Sequence, residues 1–196
     1  MNRIHGWTLL AGALAAGAVA CSDSAGPTPP VIVPPSALTI VTLPALTAPP
    51  LCQDSVGFWA RTDEDREVTI SFDDGSCSPG EKFAKFEVKA GSLLKRPDGS
   101  GFATVDSIFI WIKPAPDSVL FDFQPSGLTF KASRPAKLEL EYGEAQIIDS
   151  TIESQLNLWV QEQPGDSLLQ IGSLQIEEFD EIEADILGFS RYALAY

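Results

Sequence analysis

Few residues of this 196-residue chain could carry out chemistry beyond that of carboxylates. The only histidine, His5, lies inside an N-terminal segment with the features of a secretory signal. Removal of that segment on export would leave a mature chain without histidine. The absence of histidine excludes histidine-based triads, the usual general base at neutral pH, and most zinc, copper and iron sites from the mature chain. Asp and Glu side chains and the cysteines are the remaining candidates.

Cys21 directly follows this segment, in which Arg3 supplies a positive charge and Trp7 to Val19 an apolar run. That run is shorter than the ~20 residues that span a bilayer. The sequence Ala18-Val19-Ala20-Cys21 resembles the lipobox of bacterial lipoprotein precursors. The resemblance implies that Cys21 is lipidated and becomes the first mature residue, and Ser22 implies transfer to the outer membrane if the cell has one. The same alanines also form an A-x-A cleavage site, which would release a soluble protein.

The cysteine count favours lipidation over release. With Cys21 lipidated, Cys52 and Cys77 remain as an even pair, which predicts one disulfide in an exported protein. Closing a loop of about 25 residues is worth roughly 3–4 kcal/mol in the chain-entropy model. The sequence has no C-x-x-C redox motif, so we expect a structural role for this bond.

The charge of the chain limits its partners. The formal net charge is −14, and removal of residues 1–20, which contain Arg3 and no acid, leaves 12 basic and 27 acidic residues, a net charge of −15. Such a chain repels nucleic acid and anionic lipid headgroups. We therefore expect no nucleic-acid partner, and we expect membrane attachment through the lipid on Cys21.

The sequence divides into a signal peptide (1–20), a lipidated cysteine with a Pro-rich linker (21–51) and one domain (52–196). Within residues 37–51, β-branched residues favour a strand at a sheet edge, whereas Pro44, Pro49 and Pro50 favour continued linker. From residue 52 onward, apolar residues alternate with polar ones, as in Val68 to Phe72 and Leu138 to Tyr142. Frequent turn signals separate these runs, so the sequence predicts an all-β, antiparallel β-sandwich.

The segment Phe121 to Tyr142, FDFQPSGLTFKASRPAKLELEY, is the most distinctive part of the domain. It resembles the core of the ZU-five-type domain, named after zonula-occludens and uncoordinated-five proteins. Leu156 to Trp159 and Gly188 to Leu194 resemble later strands of the same family, and the similarity covers about residues 86–196. The resemblance implies a β-sandwich that serves adhesion, scaffolding or assembly.

Some members of this family and of related adhesion receptors cleave themselves at a His-Phe-Ser tripeptide, in which the histidine activates the serine hydroxyl. In this chain Phe189 and Ser190 match the tripeptide, but Gly188 stands in place of the histidine. The resemblance therefore implies an uncleaved chain here.

Acidic residues are dense between Glu177 and Asp185, where they alternate with apolar residues from Glu181 onward. This pattern is typical of the solvated face of a strand. A calcium site is the alternative, because calcium prefers oxygen ligands, and Asp73-Asp74-Gly75 and Asp63-Glu64-Asp65 are weaker candidates. None of them matches the EF-hand spacing, so we expect no cofactor, with calcium as the alternative.

The strand predicted at Ser107 to Lys113 is apolar on both faces. Ile108, Ile110 and Ile112 share one face and suit a sandwich core. Phe109 and Trp111 share the other face, which would point outward. Either another segment, such as residues 37–51, covers these two rings, or they form a binding platform.

Together these observations predict a lipid-anchored protein of the bacterial cell envelope that acts as a non-catalytic interaction, adhesion or scaffolding module. Its partner would be a protein, a peptide or a glycan. The alternative is a carboxylate-dependent envelope hydrolase or glycan-modifying enzyme.

Overall fold

A computed structural model describes residues 29–45, 47–77, 80–145, 148–171, 174–178 and 180–196. Within these ranges the chain is almost entirely β-structure, and its α-helix, α1, covers only Ser150–Glu153. A 3-10 turn spans Pro35–Ala37. The strands are β1 (Ile32–Val33), β2 (Val56–Arg61), β3 (Arg66–Ser71), β4 (Lys82–Val88), β5 (Leu93–Lys95), β6 (Ser107–Pro114), β7 (Leu120–Gln124), β8 (Thr129–Phe130), β9 (Ala136–Glu141), β10 (Asn157–Gln161), β11 (Leu168–Gln170), β12 (Leu174–Glu178), β13 (Glu181–Ile186) and β14 (Arg191–Ala195).

These strands form an antiparallel sandwich, which confirms the fold class predicted from the alternating pattern. A seven-stranded sheet has the order β1-β11-β10-β14-β7-β6-β2, and a five-stranded sheet has the order β12-β13-β9-β4-β3. β5 and β8 pair in a small third sheet. No helix in the described part of the chain has the length and apolar character needed to cross a bilayer.

The core between the two large sheets is rich in phenylalanine. Phe83 and Phe86 of β4 face Phe121 and Phe123 of β7, with ring centroids 5.3 Å apart for Phe83–Phe121 and 5.2 Å for Phe86–Phe123. All four side chains are buried. Because a fully buried Phe contributes roughly 1.5–3 kcal/mol, this stack is a major part of what holds the sheets together.

Residues 39–43 join the folded domain; they belong to the segment 37–51, for which the sequence left both linker and strand open. The backbone N–H groups of Thr39 and Val41 donate to the carbonyls of Tyr196 and Leu194, each over 2.9 Å. Val41 is fully buried in the main core. Ile32 and Val33, which lie within the stretch assigned to the linker, also pair with β11. Their β-branched side chains favour extended pairing despite the surrounding prolines.

Residues 32–43, which we call the N-terminal stretch, cover part of the outer face of the seven-stranded sheet. Trp159 of β10 points outward from the sheet, yet it is only 5% exposed because it packs in a small cluster with Leu168 and Ala195. Val33, Leu38 and Ile40 pack against this cluster from outside. The outer face is therefore covered around Trp159, whereas its part on β6 and β2 is left uncovered.

Cys52 and Cys77 form the predicted disulfide, with their Cα atoms 5.6 Å apart. The backbone N–H of Cys52 donates to the carbonyl of Ser71 at the end of β3. The bond therefore attaches the loop after β3 to the segment that precedes β2.

Candidate ligand-binding surface

Three large aromatic side chains lie exposed on the outer face of the two strands at one edge of the seven-stranded sheet. Trp59 of β2 is 58% exposed, and Phe109 and Trp111 of β6 are 46% and 40% exposed. In the β2–β6 register, Trp59 lies opposite Phe109, and Gly57 lies opposite Trp111. We call Trp59, Phe109 and Trp111 the aromatic patch.

The structure confirms the two faces predicted for β6. Ile110 and Ile112 are buried in the core, and Phe109 and Trp111 point the other way. The described part of residues 37–51 packs elsewhere. Val41, Leu43, Ala48 and Leu51 contact the main core, and Leu38 and Ile40 pack beside Trp159. That Phe109 and Trp111 bind a partner stays a prediction.

Trp59 was missed in the sequence analysis, although a signal for it exists. In β2, Phe58 and Ala60 point inward and alternate with Gly57, Trp59 and Arg61. The alternation predicts that Trp59 is on the outside of a strand. It does not predict that Trp59 stands opposite Phe109, because that depends on which strands pair.

The patch is held in a defined arrangement by Gly57. A Cβ atom at Gly57 would lie 2.6 Å from Cζ of Phe109, so the Phe109 ring lies in the space that the glycine leaves free. Trp59 meets the same ring edge-on, with centroids 5.5 Å apart and an interplanar angle of 63°. Such a pair is worth about 0.5–1.5 kcal/mol beyond its buried area, so it limits the freedom of the exposed rings.

A groove of about 360 Å³ begins at Trp111, on the side of the patch that faces β7. Its lining includes side chains from β6, β7 and β14 and from the turn after β10. We call it the polar groove and define it by Trp111, Lys113, Asp122, Gln124, Glu162 and Arg191. Trp111 belongs to both the groove and the patch, so the two features form one continuous surface.

The floor of the polar groove is organised by an ion pair. Asp122 and Arg191 are direct cross-strand partners. Nε of Arg191 donates to Oδ1 of Asp122 over 2.7 Å, and the second nitrogen donates to Oδ2 over 3.2 Å. Nearby, Oε1 of Gln124 accepts from the backbone N–H of Ser126, and the NH₂ group of the same amide is a donor that a ligand can use.

A larger cavity of about 540 Å³ adjoins the groove and shares Glu162 and Ser190 with it. Its lining is mostly apolar and includes Leu169 and Leu187, which are among the exposed large hydrophobic residues. Ser190 is itself buried, and its hydroxyl donates to the carbonyl of Gln161 over 2.5 Å.

The serine and glycine of the possible self-cleavage site lie beside this cavity. The carbonyl of Leu128 accepts the N–H of Phe189 and would lie 3.4 Å from a Cβ atom at Gly188. The Ser190 hydroxyl is already used in the hydrogen bond to Gln161. The expectation of an uncleaved chain stays a prediction.

Glu181 and Glu183 of β13 lie on the outer face of the five-stranded sheet and pair with Lys82 and Lys137. The Lys82 ammonium contacts Glu139, Glu141 over 2.8 Å and Glu181 over 3.1 Å, and Lys85 contacts Glu139 over 2.5 Å. We call these three glutamates with Lys82 and Lys85 the lysine–glutamate cluster. Burial alone raises the pKa of Glu139, but the hydrogen bonds from both lysines outweigh it and leave that pKa below its ordinary value.

Several of the candidate calcium ligands in the described part of the chain already have partners. Oxygen atoms of Glu139, Glu141 and Glu181 come within 4.8 Å of one another, and Lys82 supplies their positive charge. Asp73 and Asp74 accept backbone N–H groups in their own turn, and Asp63 pairs with Arg61. A calcium requirement stays a prediction without support from these contacts. The lipidation site, Cys21, lies outside the described residues.

A scan against protein-family models matches no family, and searches of curated proteins and of solved structures find no match. The similarity to lipoprotein precursors and to ZU-five-type domains therefore rests on the residues quoted above, and it stays a prediction.

Proposed function

We propose that this protein is a lipid-anchored protein of the bacterial envelope or cell surface whose β-sandwich is a non-catalytic interaction module, used in adhesion or scaffolding. The observation that carries the proposal is the aromatic patch. Three large rings are exposed side by side at one sheet edge, although the same sheet buries Trp159 on the same face.

Exposed aromatic residues of this kind are typical of interaction surfaces. Contiguous apolar area is costly to leave in water, and Trp is a frequent anchor of binding energy. The patch stands on a rigid sheet rather than on a loop, and Gly57 and Trp59 restrict the position of the Phe109 ring. A partner would therefore meet a preformed surface and would lose little binding energy in ordering it.

The alternative of a carboxylate-dependent hydrolase receives no support from the lysine–glutamate cluster. A general acid in such an enzyme needs a raised pKa. The pKa of Glu139 is lowered instead, because Lys82 and Lys85 donate to its carboxylate. Turnover of glycans remains the measurement that would revive this alternative.

The proposal is tested by sedimenting residues 22–196, which lack the lipidated cysteine, with envelope material isolated from cells that produce the protein. We expect the wild type to co-sediment and the double variant Phe109→Ser, Trp111→Ser to remain in solution with a nearly unchanged melting temperature. The matched control is Leu94→Ser, Val105→Ser, because these side chains are 41% and 68% exposed outside the patch. The control should co-sediment like the wild type.

Two results would contradict the proposal. If the Phe109→Ser, Trp111→Ser variant co-sediments like the wild type, the patch does not carry the interaction. If this variant unfolds while the Leu94→Ser, Val105→Ser control stays folded, the two aromatic side chains serve the stability of the domain.

A further inference from the structure

We propose that the aromatic patch and the polar groove together bind a neutral glycan. This inference rests on the proposed function and specifies the chemical class of the partner. Three features of the surface support a glycan: the continuity of patch and groove, the polar groups in the groove and the balance of charge around them.

The continuity of patch and groove matches the two kinds of surface on a sugar ring. A pyranose has apolar C–H faces and a rim of hydroxyl groups. It therefore needs a flat apolar surface directly beside planar hydrogen-bonding groups. Trp111 provides this junction, because its ring is part of the patch and also lines the groove beside Gln124, its direct cross-strand partner.

The polar groups of the groove can bind the hydroxyls of a ligand. Such binding would not bury an unpaired charge at the Asp122–Arg191 pair, because these two groups already pair with each other. Asp122 and Arg191 satisfy each other through two hydrogen bonds, and their side chains remain 40% and 27% exposed. A carboxylate offers about four acceptor sites and a guanidinium five donors, so both groups keep capacity for a ligand. A hydroxyl, which both donates and accepts, fits between such groups.

The charge balance of the groove favours a ligand without net charge. The ionisable residues that line the groove are the cations Lys113 and Arg191 and the anions Asp122 and Glu162. This neutral lining contrasts with the formal net charge of −14 for the whole chain. The groove therefore has no excess of cations to attract an anionic polymer and no excess of carboxylates to select a basic peptide.

The position of the surface also disfavours an extended peptide. Peptides that bind to a sheet as an added strand use the free backbone groups of an edge. The free edge beside the patch belongs to β2, which carries only Trp59 of the patch. Phe109, Trp111 and the side chains that β7 and β14 give to the groove lie on strands that are paired on both sides. A ligand there meets side chains, as a glycan would.

The experiment is calorimetric titration of the full chain with neutral hexasaccharides, namely cellohexaose, mannohexaose and chitohexaose, and with an oligogalacturonate as anionic comparison. We expect at least one neutral hexasaccharide to bind and to change tryptophan fluorescence. Trp111→Ala should weaken binding about tenfold or more, as for an aromatic anchor. Asp122→Asn should also weaken it, whereas Leu94→Ala should leave affinity unchanged.

The salt dependence tests the neutrality of the ligand. Affinity for a neutral glycan should be nearly constant between about 50 and 500 mM salt, because screening acts on charge–charge attraction. Preferential, salt-sensitive binding of the oligogalacturonate would overturn the inference. The inference would also be overturned if no neutral hexasaccharide binds at concentrations up to about 10 mM, because any affinity would then be weaker than millimolar.

The glycan inference and the proposed function can fail separately. If no glycan binds but the Phe109→Ser, Trp111→Ser variant still loses its association with envelope material, the interaction module stands and its partner is a different molecule. If reducing ends accumulate during the titration, glycan binding stands and the non-catalytic assignment is wrong.

Discussion

The ring of Phe109 occupies the space beside Gly57 that any side chain at residue 57 would need, since a Cβ atom there would lie 2.6 Å from Cζ of the ring. Gly57→Ala should therefore displace the exposed Phe109 ring. We expect a change in unfolding free energy below about 1 kcal/mol, because the ring can move into solvent. Binding to the partner should weaken several-fold, and it is measured with the same sedimentation and titration assays.

Gly101→Ala is the matched control for this substitution. A Cβ atom at Gly101 meets nothing within 4 Å, so the variant should bind like the wild type. Equal binding by both glycine variants would show that the position of Phe109 does not matter for the interaction.

Trp59 and Trp159 lie on the same outer face of one sheet but should respond very differently to substitution. Trp59 is 58% exposed, so Trp59→Ala should cost less than about 1 kcal/mol of unfolding free energy. Trp159 is 5% exposed and packs beneath the N-terminal stretch, so Trp159→Ala should cost about 3–5 kcal/mol. Urea unfolding of both variants checks the difference, and equal losses would contradict the burial described for Trp159.

The lysine–glutamate cluster should make stability depend on pH in a defined window. The folded pKa of Glu139 lies below its ordinary value of 4.5, so its contribution is present above that pH and is lost as the pH falls through the folded pKa. Burial lowers the pKa of Lys82, but its three glutamate partners raise it above the ordinary 10.5. The lysine contribution is therefore complete below pH 10.5 and is lost as the pH rises through the folded pKa.

The acid side of this window is tested with Glu139→Gln. Between about pH 7 and pH 3, the wild type should lose more unfolding free energy than the variant, because only the wild type must protonate this paired carboxylate. The exposed Asp54→Asn variant, outside the cluster, should follow the wild type. A variant and wild type that lose equal amounts would show that the pairing of Glu139 does not stabilise the fold.

The disulfide should stabilise the domain by limiting the unfolded chain. Its two cysteines are separated by 25 residues in sequence, so replacing both by Ser should cost about 3–4 kcal/mol of unfolding free energy. Urea unfolding of the variant, and of the wild type with and without reductant, measures this loss. Identical transitions for the oxidised and reduced wild type would contradict the prediction.

Lipidation should depend on Cys21. The prediction rests on the lipobox-like sequence Ala18 to Cys21 and on the even pair of cysteines that remains. Metabolic labelling with a palmitate analogue should mark the wild type and leave Cys21→Ser unlabelled. Labelling of both proteins to the same extent would refute it, and Cys52→Ser serves as a control that should keep the label.

Local sequence pattern was sufficient for much of the fold. The strict alternation in β9 and β13 predicts strands with one buried face, and Leu138, Leu140, Ile182 and Ala184 are indeed buried. The faces of β6 followed from the same reasoning. These predictions hold because the side-chain period of a strand is a local property of the backbone.

Features that depend on distant parts of the chain were not predictable in this way. The edge-on contact of Trp59 with Phe109 requires the register between β2 and β6, which are separated by three other strands in sequence. Lys82 meets Glu181 across 99 residues. The short helix α1 was also missed, although Asp149 at its N-terminus accepts the N–H groups of Thr151 and Ile152, because four residues are too few for a helical period.

The order of the seven-stranded sheet also has a mechanical consequence. β1 and β2 are its two edges, about 29 Å apart at the usual strand spacing. If the N-terminus is pulled while the aromatic patch holds its ligand, the force acts across the sheet from one edge to the other. The two-residue β1 would detach first, and the hydrogen bonds of Thr39 and Val41 to Tyr196 and Leu194 would then resist. The domain could thus lengthen its attachment by several residues under tension while the platform stays folded.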